Sequence, residues 1–412
     1  MDKRKILVVC DPNSIHASRF VNLLQEIGYD TRVFQCEFFY NIDEFLSDTL
    51  TYVYLPYNET KNILSNFTLV DYFFKKFNLS VIKKYFYKIS RYKVTHSKDI
   101  ELFSAKRLNK VINNWKPDLL FSLKLQNDGY VVSKLKTLLK TKLKPKWIHF
   151  CWGTDIEFFG KNDSFKNLHL KKIQNSLGLC DFFISDCLRD YKQAEKFGLS
   201  GKKLGYFAAN GGFDINYIKK IRQKFPLNER RIILIKGREG GLVGRAFLAL
   251  EALHNVSKLL NNFKILIIMP TENIKNVASF LTKIDNINYE IAGRLSYNSL
   301  LEIFAQTLIS ISASDIDGSP GFLIESIAMG AFPIHSDGLS IREWIKNGEN
   351  GLLFKNSDVL DLENAIVQAL NNPELINNAR DINWDITLKR LDRKKIGNFL
   401  LEKIENDVFR NN

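Results

Sequence analysis

Short β-branched apolar runs recur along the chain, each closed by turn residues and followed by apolar positions at helical spacing. Residues 5–10 predict a first strand and 11–15 a loop. Phe20, Leu23, Leu24 and Ile27 then share one helix face, which Gly28 ends. Residues 31–34 predict the second strand, and 119–122, 147–150 and 182–184 predict later ones, with a helix over 188–197. Asn210-Gly211-Gly212-Phe213-Asp214 reads as a tight turn, because glycine alone enters left-handed backbone without cost.

A polar, basic stretch over 218–231 separates this half from the next. Strands are then predicted at 232–235, 264–269, 287–292, 308–313 and 332–335, with helices between them. Strict alternation of this kind predicts an α/β, doubly wound parallel sheet. The last predicted element is one amphipathic helix over 389–409. The expected organisation is an N-terminal domain over 1–217, a second over 218–385, and a C-terminal helix over 386–412 that packs back on the first.

Composition narrows the class. The chain has 412 residues, 45% of them hydrophobic, which suits two domains of ordinary size. No run is long and apolar enough to span a bilayer, and the first apolar run is too short for a signal peptide. Five cysteines at 10, 36, 151, 180 and 187 form no CxxC pair, which predicts buried free thiols in a reducing cytosol and no metal site. A net charge of +14 calls for an anionic partner: a phosphorylated substrate, a phospholipid surface or nucleic acid. No recognisable nucleic-acid module is present, so nucleic acid is not expected.

The most informative stretch runs from 308 to 325. An apolar strand leads through Asp317, Gly318 and Ser319 to Pro320 and a helix carrying Phe322, Leu323, Ile324, Ile327 and Ala328, closed by Gly330. The pattern predicts Ser319 as N-cap and Pro320 as first helical residue. With Gly318 and Gly321 leaving the backbone bare, the helix start presents N–H groups suited to a phosphate. Asp317 and Glu325, eight positions apart, frame that start, and sugar hydroxyls are natural donors to them.

This spacing resembles the E-x7-E signature of GT-B glycosyltransferases of the GT4 type, with Asp317 in place of the first Glu. The resemblance implies two Rossmann-like domains facing a central cleft, and metal-independent, retaining transfer of a sugar from a nucleotide-sugar donor. It implies that Asp317 holds a sugar hydroxyl, Glu325 the ribose, and the amides of Gly318, Ser319, Gly321 and Phe322 the diphosphate. The Gly-rich loop over 236–245 lacks the GKS or GKT ending of a Walker P-loop. By resemblance, Arg238 and Arg245 neutralise the diphosphate there, and Arg294 belongs to the loop that reads the base. The pair Asp315 and Asp317 is not read as a metal-binding motif. On the acceptor side the resemblance brings in His16, and Trp152 and Asp155 of Trp152-Gly153-Thr154-Asp155; Asp155 also reads as a helix-capping residue and His16 as an exposed helix start. His149 is expected in the core.

Within 57–95, Val81, Ile82, Tyr85, Phe86, Ile89 and Tyr92 lie opposite Lys83, Lys84, Lys88 and Arg91 on a helical projection. The helix expected over 72–93 either lies on an anionic membrane or packs on its own domain. These features predict a cytoplasmic enzyme, with peripheral contact at the inner face of the plasma membrane. The expected acceptor is a glycan or polyprenyl-phosphate-linked glycan, as in bacterial surface-polysaccharide synthesis. Three alternatives stay open: a sugar-nucleotide 2-epimerase-like enzyme with His16 or His149 in acid/base roles, a noncatalytic scaffold, and a basic nucleic-acid-binding protein.

Overall fold

The computed structural model describes residues 3–36, 46, 49, 51–52, 100–138, 145–160, 163–240, 244–285, 287–293, 295–314 and 316–410. The helix expected over 72–93, Asp315 and Arg294 lie outside them. The chain divides into two compact units. The first comprises 1–211 with 395–412, the second 212–394.

The first unit is built on a fully parallel seven-stranded sheet in the order β3-β2-β1-β4-β5-β6-β7. Its strands are β1 Lys5–Val9, β2 Asp30–Phe34, β3 Thr51–Tyr52, β4 Leu119–Leu123, β5 Lys146–Cys151, β6 Phe182–Ser185 and β7 Lys202–Tyr206. Parallel strands need crossovers that cover both faces, so the central strands read as unbroken apolar runs. Accordingly Ile6, Leu7, Val8 and Val9 are all fully buried. Residues 395–410 cover one face of this sheet, with Ile396, Leu400, Ile404 and Val408 in its core. Tyr29 donates to Glu405 at 2.8 Å. A Cβ on Gly205, whose φ is 144°, would stand 2.4 Å from the Phe399 ring, so only glycine lets that ring lie on β7.

The second unit has a fully parallel six-stranded sheet in the order β10-β9-β8-β11-β12-β13. Its strands are β8 Ile232–Lys236, β9 Lys264–Ile268, β10 Asn288–Ile291, β11 Thr307–Ser312, β12 Phe332–Ser336 and β13 Leu352–Phe354. The turn read from the sequence falls at the boundary of the two units: Gly211 and Gly212 have φ of 69° and 77°. Asp214 then caps the helix Ile215–Gln223 by accepting from the amides of Asn216 and Tyr217.

The final helix differs from the sequence expectation. The helix Pro373–Arg390 stops, Leu391 and Asp392 turn the chain, and a new helix runs Arg393–Lys403. The turn is held because Phe213 pairs with this segment: its amide donates to Leu391 O at 2.7 Å and its carbonyl accepts from Arg393 at 3.0 Å. A distant backbone partner thus interrupts a pattern that is locally helical. All five cysteines are buried free thiols.

Candidate functional site

In an open parallel sheet, ligands settle outside the carboxyl ends of the strands where the strand order reverses. In the second unit that point lies between β8 and β11. Lys236 is the last residue of β8, and Asp317 stands in the loop leaving β11. The Lys236 ammonium lies 3.2 Å from the Asp317 carboxylate, with the two side chains 14% and 16% exposed. The pair therefore bridges the crevice while keeping a face to solvent.

The loop holding Asp317 is fixed from below. Ser336, ending β12, accepts from the Ser314 amide at 2.8 Å and donates to its carbonyl at 2.9 Å. Ser340 donates to the carbonyl of Asp317. His335 is buried beside Ser336, and its Nδ1 donates to the Ser336 carbonyl at 2.9 Å, which leaves the lone pair on Nε2. Burial pushes its pKa down to about 4, against the pull of Asp317, so the ring is neutral at ordinary pH.

The helix Gly321–Met329 begins one residue later than the sequence pattern predicts. Pro320 is the N-cap, with φ −61° and ψ 121°, and Ser319 lies before it. The Pro320 carbonyl accepts from Ile324 at 3.0 Å, so proline serves as a cap that needs no N–H of its own. The first N–H groups of the helix, from Gly321 onward, have no partner within the helix and point out of its start. Phe322 presents only its backbone there, because its ring packs edge-on against Phe304 with centroids 5.2 Å apart. Gly318 is buried and Ser319 half-buried. Every residue from Phe322 to Met329 is buried, Glu325 among them. A carboxylate inside a helix buried all round is held at a cost in desolvation.

The two arginines of the Gly-rich loop go separate ways. Arg238 is exposed. It follows Gly237, where a Cβ would come within 2.4 Å of Ile267. Arg245 pairs its backbone with Glu239, and its guanidinium donates to Ser357. Glu239 accepts from the Phe247 amide at 2.8 Å and so caps the helix Ala246–Asn255. Lys236 is a cation placed directly on Asp317. The sequence pattern placed Lys236 at the start of the Gly-rich loop over 236–245 and gave it no role, whereas the structure makes it the last residue of β8. The available signal was a lysine ending an otherwise apolar strand directly before a glycine.

In the first unit the strand order reverses between β1 and β4. His16 sits in the first turn of the helix Ile15–Glu26 that follows β1. Its ring meets Trp152 edge-on at 6.3 Å. Trp152 begins the helix Gly153–Glu157. Asp155 is fully buried, and its Oδ2 accepts from the amides of Leu125 at 2.8 Å and Trp152 at 2.9 Å. Burial pushes its pKa up to about 8, offset by those two amides and reinforced by Asp186 and Asp190. The capping reading therefore describes this residue. Through Leu125, Asp155 also holds a strained segment at the switch point, with φ of 68° at Lys124 and 63° at Asn127. Nothing in the sequence beyond the turn-forming Asn127-Asp128-Gly129 marked that segment.

His149 lies in the core, as its place within a strand suggested. Trp147 donates to Ser122 Oγ at 2.9 Å, and that hydroxyl lies 2.8 Å from His149 Nδ1. Burial pushes the His149 pKa down to about 3. Among the described residues, His149, Cys151 and Asp155 form one group with metal-ligand atoms within 4.8 Å of one another, and Asp186, Cys187 and Asp190 form another. Asp155 already caps one helix. Asp190 is gripped by Arg189, at 2.9 and 3.0 Å.

With this geometry in view, the comparisons with known proteins are direct. Residues 218–383 match the family described as Glycosyl transferases group 1. The match lies within the second unit. The whole chain has the GT-B fold. A glycosyltransferase from Rickettsia africae is similar over 100% of both chains, at 14% identity and a TM-score of 0.67. A sucrose-phosphate synthase from Thermosynechococcus elongatus is similar over 100% of both, at 12% identity and a TM-score of 0.69. HepE from Anabaena, solved with UDP and glucose, is similar over 98% of this chain and 100% of its own, at 11% identity and a TM-score of 0.67. No curated protein matches the sequence.

Proposed function

We propose that this protein transfers a sugar from a nucleoside-diphosphate donor to a hydroxyl acceptor with retention of anomeric configuration, as a GT4-like enzyme. The observation that carries the reading is the set of groups at the switch point of the second unit: Asp317 paired with Lys236, the bare start of the helix Gly321–Met329, and Glu325 buried within that helix. In transfer, the bond from the anomeric carbon to the phosphate oxygen breaks and its electron pair leaves with the diphosphate. The helix amides and nearby cations, Lys236 and Arg238, stabilise that growing charge without a metal. The departing phosphate takes the acceptor's proton as the new C–O bond forms on the same face. Asp317 is assigned to a donor-sugar hydroxyl and Glu325 to the ribose. Arg245, held at Ser357, is assigned to the outer edge of the diphosphate.

The net charge of +14 supports an anionic acceptor, such as a polyprenyl-phosphate-linked glycan, met at a cytoplasmic membrane face. Among the described residues no helix is long and apolar enough to cross a membrane. Epimerase chemistry through His149 is disfavoured, since that ring is buried and tied to Ser122.

HepE has been solved with UDP-glucose, which makes the uridine series the first to try. Calorimetry with UDP, GDP, ADP and their sugar forms, with and without EDTA, tests the reading. One nucleotide should bind at micromolar concentration, unaffected by EDTA, and binding should be lost in Glu325→Ala. Failure of all of them to bind would remove the transferase reading.

A further inference from the structure

The far end of the donor-site helix carries an arrangement with no counterpart in the motif. Two arginines, Arg222 and Arg230, are buried beneath the carboxyl end of the helix Gly321–Met329. Arg230 Nη1 donates to the carbonyls of Gly330 at 2.9 Å, Thr307 at 3.1 Å and Met329 at 3.3 Å, and its Nε donates to Phe225 at 3.2 Å. Arg222 Nη1 donates to Ala328 at 3.2 Å and Ile327 at 3.4 Å, and its Nη2 to Arg380 O at 2.6 Å. The carbonyls of residues 327 to 330 are thus all taken by guanidinium groups. The helix has no basic residue in its own last turn.

This is an expensive way to finish a short helix. None of the hydrogen bonds just described goes to a carboxylate. Burial and Arg380, with Arg222 adding its repulsion, lower the pKa of Arg230 to about 9; burial and Arg380 lower that of Arg222 to about 10, with Asp381 opposing. Both remain charged at neutral pH. Trp384 supplies a ring face 5.1 Å from the Arg222 guanidinium. Gly330 is shaped to the arrangement: its φ is 76°, and a Cβ there would lie 2.7 Å from Arg222 Nη1. Gly330 is itself a left-handed glycine cap, with its amide donating to Ile327 O at 3.2 Å and that of Ala331 to Ser326 O at 3.0 Å, so the two arginines add buried charge to a helix that its glycine already closes.

We propose that Arg222 and Arg230 are positioning residues for the donor diphosphate, acting through the helix Gly321–Met329. They cancel the negative pole at its carboxyl end, so that the positive pole at Gly321 faces the anion unopposed. The inference rests on the diphosphate reading of that helix start. A nine-residue helix spans about 14 Å at about 1.5 Å per residue. Across the buried path a unit charge at one end is worth roughly five- to tenfold in the affinity of an anion at the other. The same charges do nothing for a neutral ligand.

That selectivity supplies the test. Affinities of wild type, Arg230→Met, Arg230→Lys and Arg222→Met for UDP, inorganic pyrophosphate and uridine are measured by calorimetry, with thermal unfolding followed in parallel. Arg230→Met is expected to weaken UDP and pyrophosphate about tenfold and leave uridine unchanged, while Arg230→Lys recovers most of the loss. Arg222→Met, which gives up fewer carbonyl contacts, is expected to show the same pattern and serves if Arg230→Met does not fold. Equal loss of UDP and uridine, or unchanged UDP affinity in a folded Met variant, overturns the proposal. If wild type binds neither UDP nor pyrophosphate, the diphosphate reading falls, and this inference falls with it. Wild-type binding without charge-selective loss refutes the inference alone.

Discussion

The two units are built on the same plan, a parallel sheet whose strand order reverses near its middle, yet they treat charge at that point in opposite ways. In the second unit, Lys236 and Asp317 form a half-open pair at the crevice. In the first unit, Asp155 is fully buried and spends one carboxylate oxygen on two backbone amides. One crevice keeps a charged pair with a face to solvent. The other uses charge to fix its own loops. A shared strand-order reversal therefore does not imply identical use: what separates the two is how much water each carboxylate keeps.

The contrast can be broken by titration. In the first unit two buried groups oppose each other across the pH scale. His149, lowered from 6.5 to about 3, contributes stability present above its unfolded pKa and lost as the pH falls toward its folded one. Asp155, raised from 3.8 to about 8, contributes stability present below its unfolded pKa and lost as the pH rises toward its folded one. Each effect is on the order of a few kcal/mol. Denaturant unfolding from pH 4 to 8 should therefore be flatter in wild type than in either single variant. His149→Gln should unmask the decline with rising pH, and Asp155→Asn the decline with falling pH. Parallel profiles in all three proteins would show that these groups are not what fixes the first crevice.

A smaller effect sharpens the comparison from the other side. Under the proposed function, Lys236→Met should lower kcat/KM with the nucleotide sugar by about 100-fold, since it would remove a cation assigned to the donor. Its cost to stability should stay below about 1 kcal/mol, because the pair is partly solvated. A large fall in melting temperature with little change in turnover would reverse the assignment and make Lys236 a structural residue. Smallest of all is the exposed pair Lys224–Glu302, 3.1 Å apart with both side chains about half exposed. Lys224→Ala should change stability by less than about 0.5 kcal/mol in chemical denaturation and leave nucleotide affinity untouched.

Much of the second unit could be read directly. Its strands are continuous apolar runs, its glycines and proline punctuate them, and the acids of the 317–325 segment stand at a fixed separation in one local element. Information of that kind survives in a linear string because residues close in sequence carry it. The first unit was harder to read for the converse reason. Asp155 meets Leu125 across thirty positions, and the strain at Lys124 and Asn127 is imposed by neighbours rather than by their own preferences. The same limit hid Lys236, whose partner lies 81 positions away.

By itself, then, the sequence determined the alternation of strands and helices, the parallel sheets that follow from it, and the strand–loop–helix that carries Asp317 and Glu325. These rest on periodicity and turn chemistry, which act over a few residues. Only the tertiary structure decided that Pro320 caps the helix, that the terminal helix breaks at Leu391 and Asp392, that Lys236 pairs with Asp317, and that Arg222 and Arg230 close the far end of Gly321–Met329. Each of these depends on which carbonyl, ring or carboxylate arrives from a distant part of the chain. A lone lysine or arginine has too many possible partners for its own sequence neighbourhood to name the one it meets.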